Sequence, residues 1–137
     1  MRAVLQQQDM HSIKLFCIGK VRKKIIKLAN CRKFQVYCIG APRTGTTSIS
    51  GIFHDYYRSG HEVDSEDVLK YAFDYQEGKI GLEELERFVI ERDKRLHLEM
   101  DSSTHNFYLV PVLIRLFPDA KFLIPVREVI SWAESYL

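Results

Sequence analysis

Nine consecutive residues, Gly40-Ala41-Pro42-Arg43-Thr44-Gly45-Thr46-Thr47-Ser48, carry the chemistry of an anion cradle. The glycines let the backbone turn tightly and approach a ligand closely. The hydroxyls offer hydrogen bonds, and Arg43 brings a forked donor that stays charged at physiological pH. The preceding run, Phe34-Gln35-Val36-Tyr37-Cys38-Ile39, reads as a buried strand, and Ile49-Ser50-Gly51-Ile52-Phe53 continues as a helix. A strand, a glycine loop and a helix N-terminus aim backbone N–H groups and the positive end of a dipole at one anion. The bound group to expect is a phosphate. Arg43 adds a fixed positive charge beside that group.

The spacing, glycine, four residues, glycine and then two more, is that of a nucleotide P-loop. Thr46 stands where an NTPase carries its phosphate-binding lysine, and the cation, Arg43, comes three residues earlier. With that departure, Pro42-Arg43-Thr44-Gly45-Thr46-Thr47 resembles the 5′-phosphosulfate loop of the sulfotransferases that use 3′-phosphoadenosine-5′-phosphosulfate (PAPS). A second segment supports the resemblance. Lys121-Phe122-Leu123-Ile124-Pro125-Val126 reads as a buried strand ending at Arg127, and Ser135 follows eight residues later. Phe117-Pro118-Asp119-Ala120 looks like the family's lead-in to that strand. The likeness spans roughly residues 34 to 137 and is closest to the bacterial and tyrosyl-protein branches.

The resemblance implies a three-layer α/β P-loop fold around a parallel sheet, and PAPS as donor. It implies that Arg43, Thr44, Gly45, Thr46, Thr47 and Ser48 hold the 5′-phosphosulfate, and that Arg127 and Ser135 hold the 3′-phosphate. Sulfuryl transfer also needs a base within reach of the acceptor oxygen. Glu62 is the first candidate, because the tyrosyl-protein branch places its catalytic glutamate in a similar stretch. His105 is the second, standing about twenty residues before Arg127, near the spacing of the cytosolic branch but without its flanking Leu-Pro. Asp101, at the expected end of a strand, is the third. Each also has a purely local reading as a cap or an ion-pair partner. The sulfuryl group carries less charge than a phosphoryl group, so no metal site is expected.

These residues need elements to position them. Helical spacing of Leu82, Leu85, Phe88 and Val89 predicts an amphipathic helix over 82–94, with Glu83 to Arg87 and Glu91 to Arg95 as i,i+4 pairs. A helix is expected from the loop to about Arg58, stopped by Ser59-Gly60. His61-Glu62-Val63 and Leu96-His97-Leu98-Glu99-Met100 read as short strands, with Ser65 capping a helix between them and the 82–94 helix. Residues 106–117 read as a helix with Pro111 in its first turn or at a kink, and a last helix starts near Glu128. Strands alternating with helices imply a parallel sheet covered on both faces, with ligands at the carboxyl ends of the strands. Arg43, Glu62, Asp101 and Arg127 fall at such ends.

A chain of 137 residues supports one domain. The net charge of +2 hides a basic arm: residues 1–35 carry nine Lys or Arg and one acid, Asp9. Residues 1–33 therefore read as an appended basic segment, partly helical over Val21 to Asn30, and capable of weak contact with an anionic surface. Residues 34–137 read as the N-terminal part of the sulfotransferase-like domain, an incomplete sheet with exposed edges. Cys17, Cys31 and Cys38 have no disulfide or zinc spacing, and His54, His61 and His97 have no metal-ligand spacing. A cytoplasmic setting is the simplest expectation, with no nucleic acid partner. The acceptor stays open among small molecules, glycans and proteins. Two other readings survive the residues: a P-loop kinase or nucleotide hydrolase with a degenerate loop, and a nucleotide-binding fragment without turnover.

Overall fold

The computed structural model describes residues 32–137. The expected helix at Val21 to Asn30, with Cys17 and Cys31, lies outside the described residues. Four strands of the described residues form one parallel sheet: β1 (Val36–Cys38), β2 (Ser59–His61), β3 (Met100–Ser102) and β4 (Lys121–Leu123), in the order β2-β3-β1-β4. Val36 lies opposite Met100 on one side and Lys121 on the other. The strands are shorter than the apolar runs that encode them. Pairing nevertheless runs on, with Ile39 N–H donating to Leu123 O and Lys121 N–H to Gln35 O. Pro125 contributes no N–H to the ladder, which helps to end β4.

Among the described residues, five α-helices connect and cover the sheet: α1 (Thr46–His54), α2 (Ser65–Gln76), α3 (Leu82–Leu96), α4 (Val110–Leu116) and α5 (Val129–Glu134), with a 3-10 turn at His105–Leu109. Alternation along β3 shows the layering. Asp101 turns its carboxylate to Arg92 of α3, while the neighbouring Ser102 donates to the Thr46 carbonyl of α1. Helices therefore cover both faces. The main core joins Tyr37 to Val68, Ala72, Leu85, Val89, Leu109, Val112, Leu113 and Ala120. Tyr71 stacks on Phe88 at 4.1 Å beside it. Cys38 is a fully buried free thiol on the opposite face of β1.

Several boundaries move for visible reasons. The first helix stops at His54 rather than near Arg58, and Ser59-Gly60 begins β2 instead of closing that helix. Small side chains suit that contact: the Ser50 and Ser59 hydroxyls meet at 2.8 Å, seating α1 against the strand. The third strand begins at Met100, because helical periodicity carries α3 to Leu96 and His97 turns the chain with φ of 46°. Asp101 sits within that strand because Arg92 neutralises it. Asp64, not Ser65, occupies the α2 N-cap, and its carboxylate serves Arg95 at 2.6 Å rather than the helix amides. Arg95 thus turns away from the expected Glu91 pairing. Pro111 lies in the first turn of α4, where its missing N–H costs nothing.

β2 and β4 are the outer strands of the sheet. Past β4, Ile124, Val126, Val129 and Ile130 are all at least 65% exposed. No helix among the described residues is long and apolar enough to cross a membrane.

Candidate active site

The glycine loop leaves the carboxyl end of β1 and enters α1 through two left-handed residues, Arg43 with φ of 65° and Gly45 with φ of 100°. Gly45 bears that conformation without a Cβ penalty, whereas Arg43 is strained. Strain of this kind persists only where surrounding contacts hold it. Here Thr44 Oγ1 donates to Ala41 O at 2.6 Å, Trp132 Nε1 donates to Pro42 O at 2.9 Å, and Arg127 donates to the Arg43 carbonyl at 3.1 Å. Gly40 is needed for a different reason. A Cβ there would lie 2.3 Å from Pro125 Cγ and 2.6 Å from Thr44 Oγ1, so the loop and the end of β4 are in direct contact.

The donor set fits a phosphate. The amides of Thr46, Thr47 and Ser48 form the first turn of α1, where helix geometry supplies no acceptor. Thr46 is buried, but Thr47, Ser48 and Arg43 are exposed. The Arg43 guanidinium rests 5.8 Å from the ring centre of Tyr136. Thr46 and Thr47 share a partner that spacing did not reveal. His61 Nε2 lies 3.2 Å from Thr46 Oγ1 and 3.1 Å from Thr47 Oγ1. No local pattern links residues 46 and 61, because the contact depends on β2 lying beside α1.

Arg127 and the loop border one hollow of about 340 Å³, lined by Ala41, Thr44, Pro125, Val126, Arg127, Val129 and Trp132. Arg127 therefore suits an anionic group at the loop's edge. Ser135 sits at the end of α5, and its hydroxyl donates back to Trp132 O at 2.6 Å. Serving a ligand would require that hydroxyl to turn. One turn earlier, the Ser131 hydroxyl donates to Glu128, whose carboxylate also caps α5.

The three base candidates separate. Asp101 is committed to a buried ion pair with Arg92, whose other donor serves Val63 O. Glu62 and His105 come together instead. Glu62 follows β2 with φ of 54°, and its carboxylate accepts from Ser103 Oγ at 2.9 Å and from Thr104 N–H at 3.0 Å. His105 Nδ1 lies 2.8 Å from Glu62 Oε2, with the ring N–H off that line, so the contact is electrostatic in this geometry. Partial burial pushes the Glu62 carboxyl up. The Thr104 and Ser103 donors, with the nearby His105 and His61 rings, outweigh burial and hold it below the usual carboxylate range. Thr104, between them in the chain, also lines a second hollow of about 330 Å³ with Ile39, Gly40, Ala41, Pro42, Phe107 and Tyr108. A larger hollow, of about 500 Å³, lies at the opposite ends of β1 and β4, away from these groups.

The described residues include no cluster of three or more His, Cys, Asp or Glu able to hold a metal ion. A family model described as a sulfotransferase domain matches residues 35–137. No curated protein and no solved structure matches this chain.

Proposed function

The chain belongs to the sulfotransferase domain family, and from that premise we propose that it moves a sulfuryl group from PAPS to an acceptor hydroxyl or amine. One observation carries the reading beyond the family. The loop after β1 and the arginine after β4, 84 residues apart in the chain, meet at one crevice through the Arg127 to Arg43 hydrogen bond. Two anion sites side by side suit a ligand with phosphates at both ends.

PAPS supplies an activated sulfuryl group on a phosphate that leaves readily. The chain's residues do the rest. The loop amides from Thr44 to Ser48, with the hydroxyls of Thr46 and Thr47, hold the 5′-phosphate. Arg43 faces the oxygens on which charge grows and stabilises them without losing a proton. Arg127 grips the 3′-phosphate by charge-assisted hydrogen bonds, with Ser135 assisting once its hydroxyl turns inward. Glu62, held as an anion by its donors, keeps the His105 proton on Nδ1. That leaves Nε2 bare to accept the acceptor's proton. A second reading, in which Glu62 is itself the base and His105 the supporting group, follows from the half-buried carboxylate at the end of β2. The proposal places the reaction in the cytoplasm, with a small molecule, glycan or protein as acceptor and weak contact of the basic arm with an anionic surface.

Titration calorimetry with adenosine 3′,5′-bisphosphate and with Mg-ATP tests the donor class, and an acceptor panel with sulfur-labelled PAPS tests turnover. Binding of the bisphosphate and label transfer are the expected results. Preference for Mg-ATP would return the loop to the kinase or hydrolase reading. Bisphosphate binding without transfer to any acceptor would favour a nucleotide-binding protein without turnover.

A further inference from the structure

His61 closes β2 beneath the first turn of α1, within hydrogen-bond distance of both Thr46 and Thr47 hydroxyls. Neighbouring hydrogen bonds fix the placement. Ser102 Oγ donates to the Thr46 carbonyl at 2.9 Å, and Ser59 Oγ donates to the Ser50 carbonyl at 2.9 Å, so β2, β3 and α1 hold the imidazole and the hydroxyls in register. A histidine in the sheet thus reaches the hydroxyls of the phosphate loop from behind.

We propose that His61 is a positioning residue for the phosphate end of the ligand, and that its Nε2 decides which way the Thr46 and Thr47 hydroxyl protons point. The inference rests on the phosphate-cradle reading above. An imidazole nitrogen either accepts or donates, according to whether it carries a proton. A bare Nε2 draws the hydroxyl protons toward itself and leaves oxygen lone pairs facing the cradle, where they repel an anion. A protonated Nε2 donates to the hydroxyl oxygens, and their protons swing free to serve the phosphate. Only the second arrangement adds side-chain donors to the loop amides. Anion binding therefore selects the ring form that carries a proton on Nε2, either as a tautomer or as the imidazolium.

Glutamine separates this role from simple packing. Its side-chain NH₂ can stand near the position of Nε2 and donate, but it cannot present a bare nitrogen. The test is calorimetric titration of the full chain, native, His61→Ala and His61→Gln, with adenosine 3′,5′-bisphosphate and with inorganic pyrophosphate. Nitrogen-15 spectra of the native His61 ring provide a second readout. His61→Ala should weaken both ligands about tenfold, as expected for losing correctly oriented hydrogen bonds to a charged group. His61→Gln should recover most of that loss. The native Nε2 signal should move toward the protonated type when either ligand is added. Native-like binding by His61→Ala, or equal losses in the two variants, would overturn the inference. If His61→Ala did not fold, the ring spectrum and His61→Gln would decide in the same way. The parent reading fails separately. If the native chain bound pyrophosphate as tightly as the bisphosphate, with the same dependence on His61, the two-ended donor site would fall and the role of His61 would stand. A native chain that bound neither probe would remove both.

Discussion

Arg43 and Arg127 are joined through the Arg43 carbonyl, yet their removal should have different consequences. In the proposed transfer, Arg43→Ala deletes a charge that matters most when the leaving oxygens become negative. Turnover should fall about a hundredfold, with little change in bisphosphate affinity. Arg127→Ala should weaken bisphosphate binding about tenfold or more, measured by calorimetry, and change turnover at saturation less. Equal effects on rate and binding in both variants would contradict these assignments. The Glu62 and His105 pair gives a second contrast. Glu62→Gln keeps the shape but loses the anion that orients the ring, while His105→Ala loses the proposed base. Both should lower turnover by about a hundredfold or more, measured as label transfer from sulfur-labelled PAPS. If His105→Ala kept its rate while Glu62→Gln lost it, Glu62 would be the base.

Elements hold the crevice open to these side chains, and two contacts between elements can be tested. Gly40 passes so close to Pro125 that any side chain collides with the ring. Gly40→Ala should displace the loop from β4 and weaken bisphosphate binding, whereas Gly51→Ala, on an open face of α1, should not. At the other end of the sheet, Glu99 enters β3 and accepts from the Arg58 guanidinium at 2.8 Å and from the Arg58 N–H at 2.9 Å, where the chain enters β2. Burial pushes the Glu99 carboxyl up, but the Arg58 donors and charge prevail and hold it low. A lowered carboxylate contributes stability above the ordinary glutamate range and loses it as pH falls. Glu99→Ala should therefore cost about 3 kcal/mol near neutrality, seen in chemical denaturation. The gap from the native chain should narrow as pH falls below the ordinary glutamate range. A gap that persisted in acid would mean that packing, not charge, holds the two strands.

At the scale of the whole molecule, the order β2-β3-β1-β4 puts β1 inside the sheet and aims its carboxyl end at the crevice. The core that fixes this order lies on the α2, α3 and α4 face. Leu113 is only 1% exposed there, and Leu113→Ala should cost about 2–5 kcal/mol while leaving ligand affinity of the folded fraction intact. A ligand that binds the folded chain alone raises its stability by mass action, about 2.7 kcal/mol at a hundred times its dissociation constant. Adenosine 3′,5′-bisphosphate should raise the melting temperature in that manner, and the rise should shrink in Arg127→Ala.

The sequence alone determined the chemistry that is local in the chain. Gly40 to Ser48 follow one another between an apolar run and a helix, so cradle, cation and missing lysine could be read without coordinates. The alternation of strands and helices likewise implied a covered parallel sheet, because βαβ connections leave few other solutions. Side-chain partnerships across the sheet were not readable. Asp101 looked like a strand-end acid until Arg92 claimed it, His61 looked ordinary until β2 brought it beneath Thr46 and Thr47, and Glu62 and His105 were rivals until the fold made them neighbours. Periodicity records which face of an element is buried. It carries no record of which distant residue fills the space opposite, and that was decided only when the strands paired and the helices settled on them.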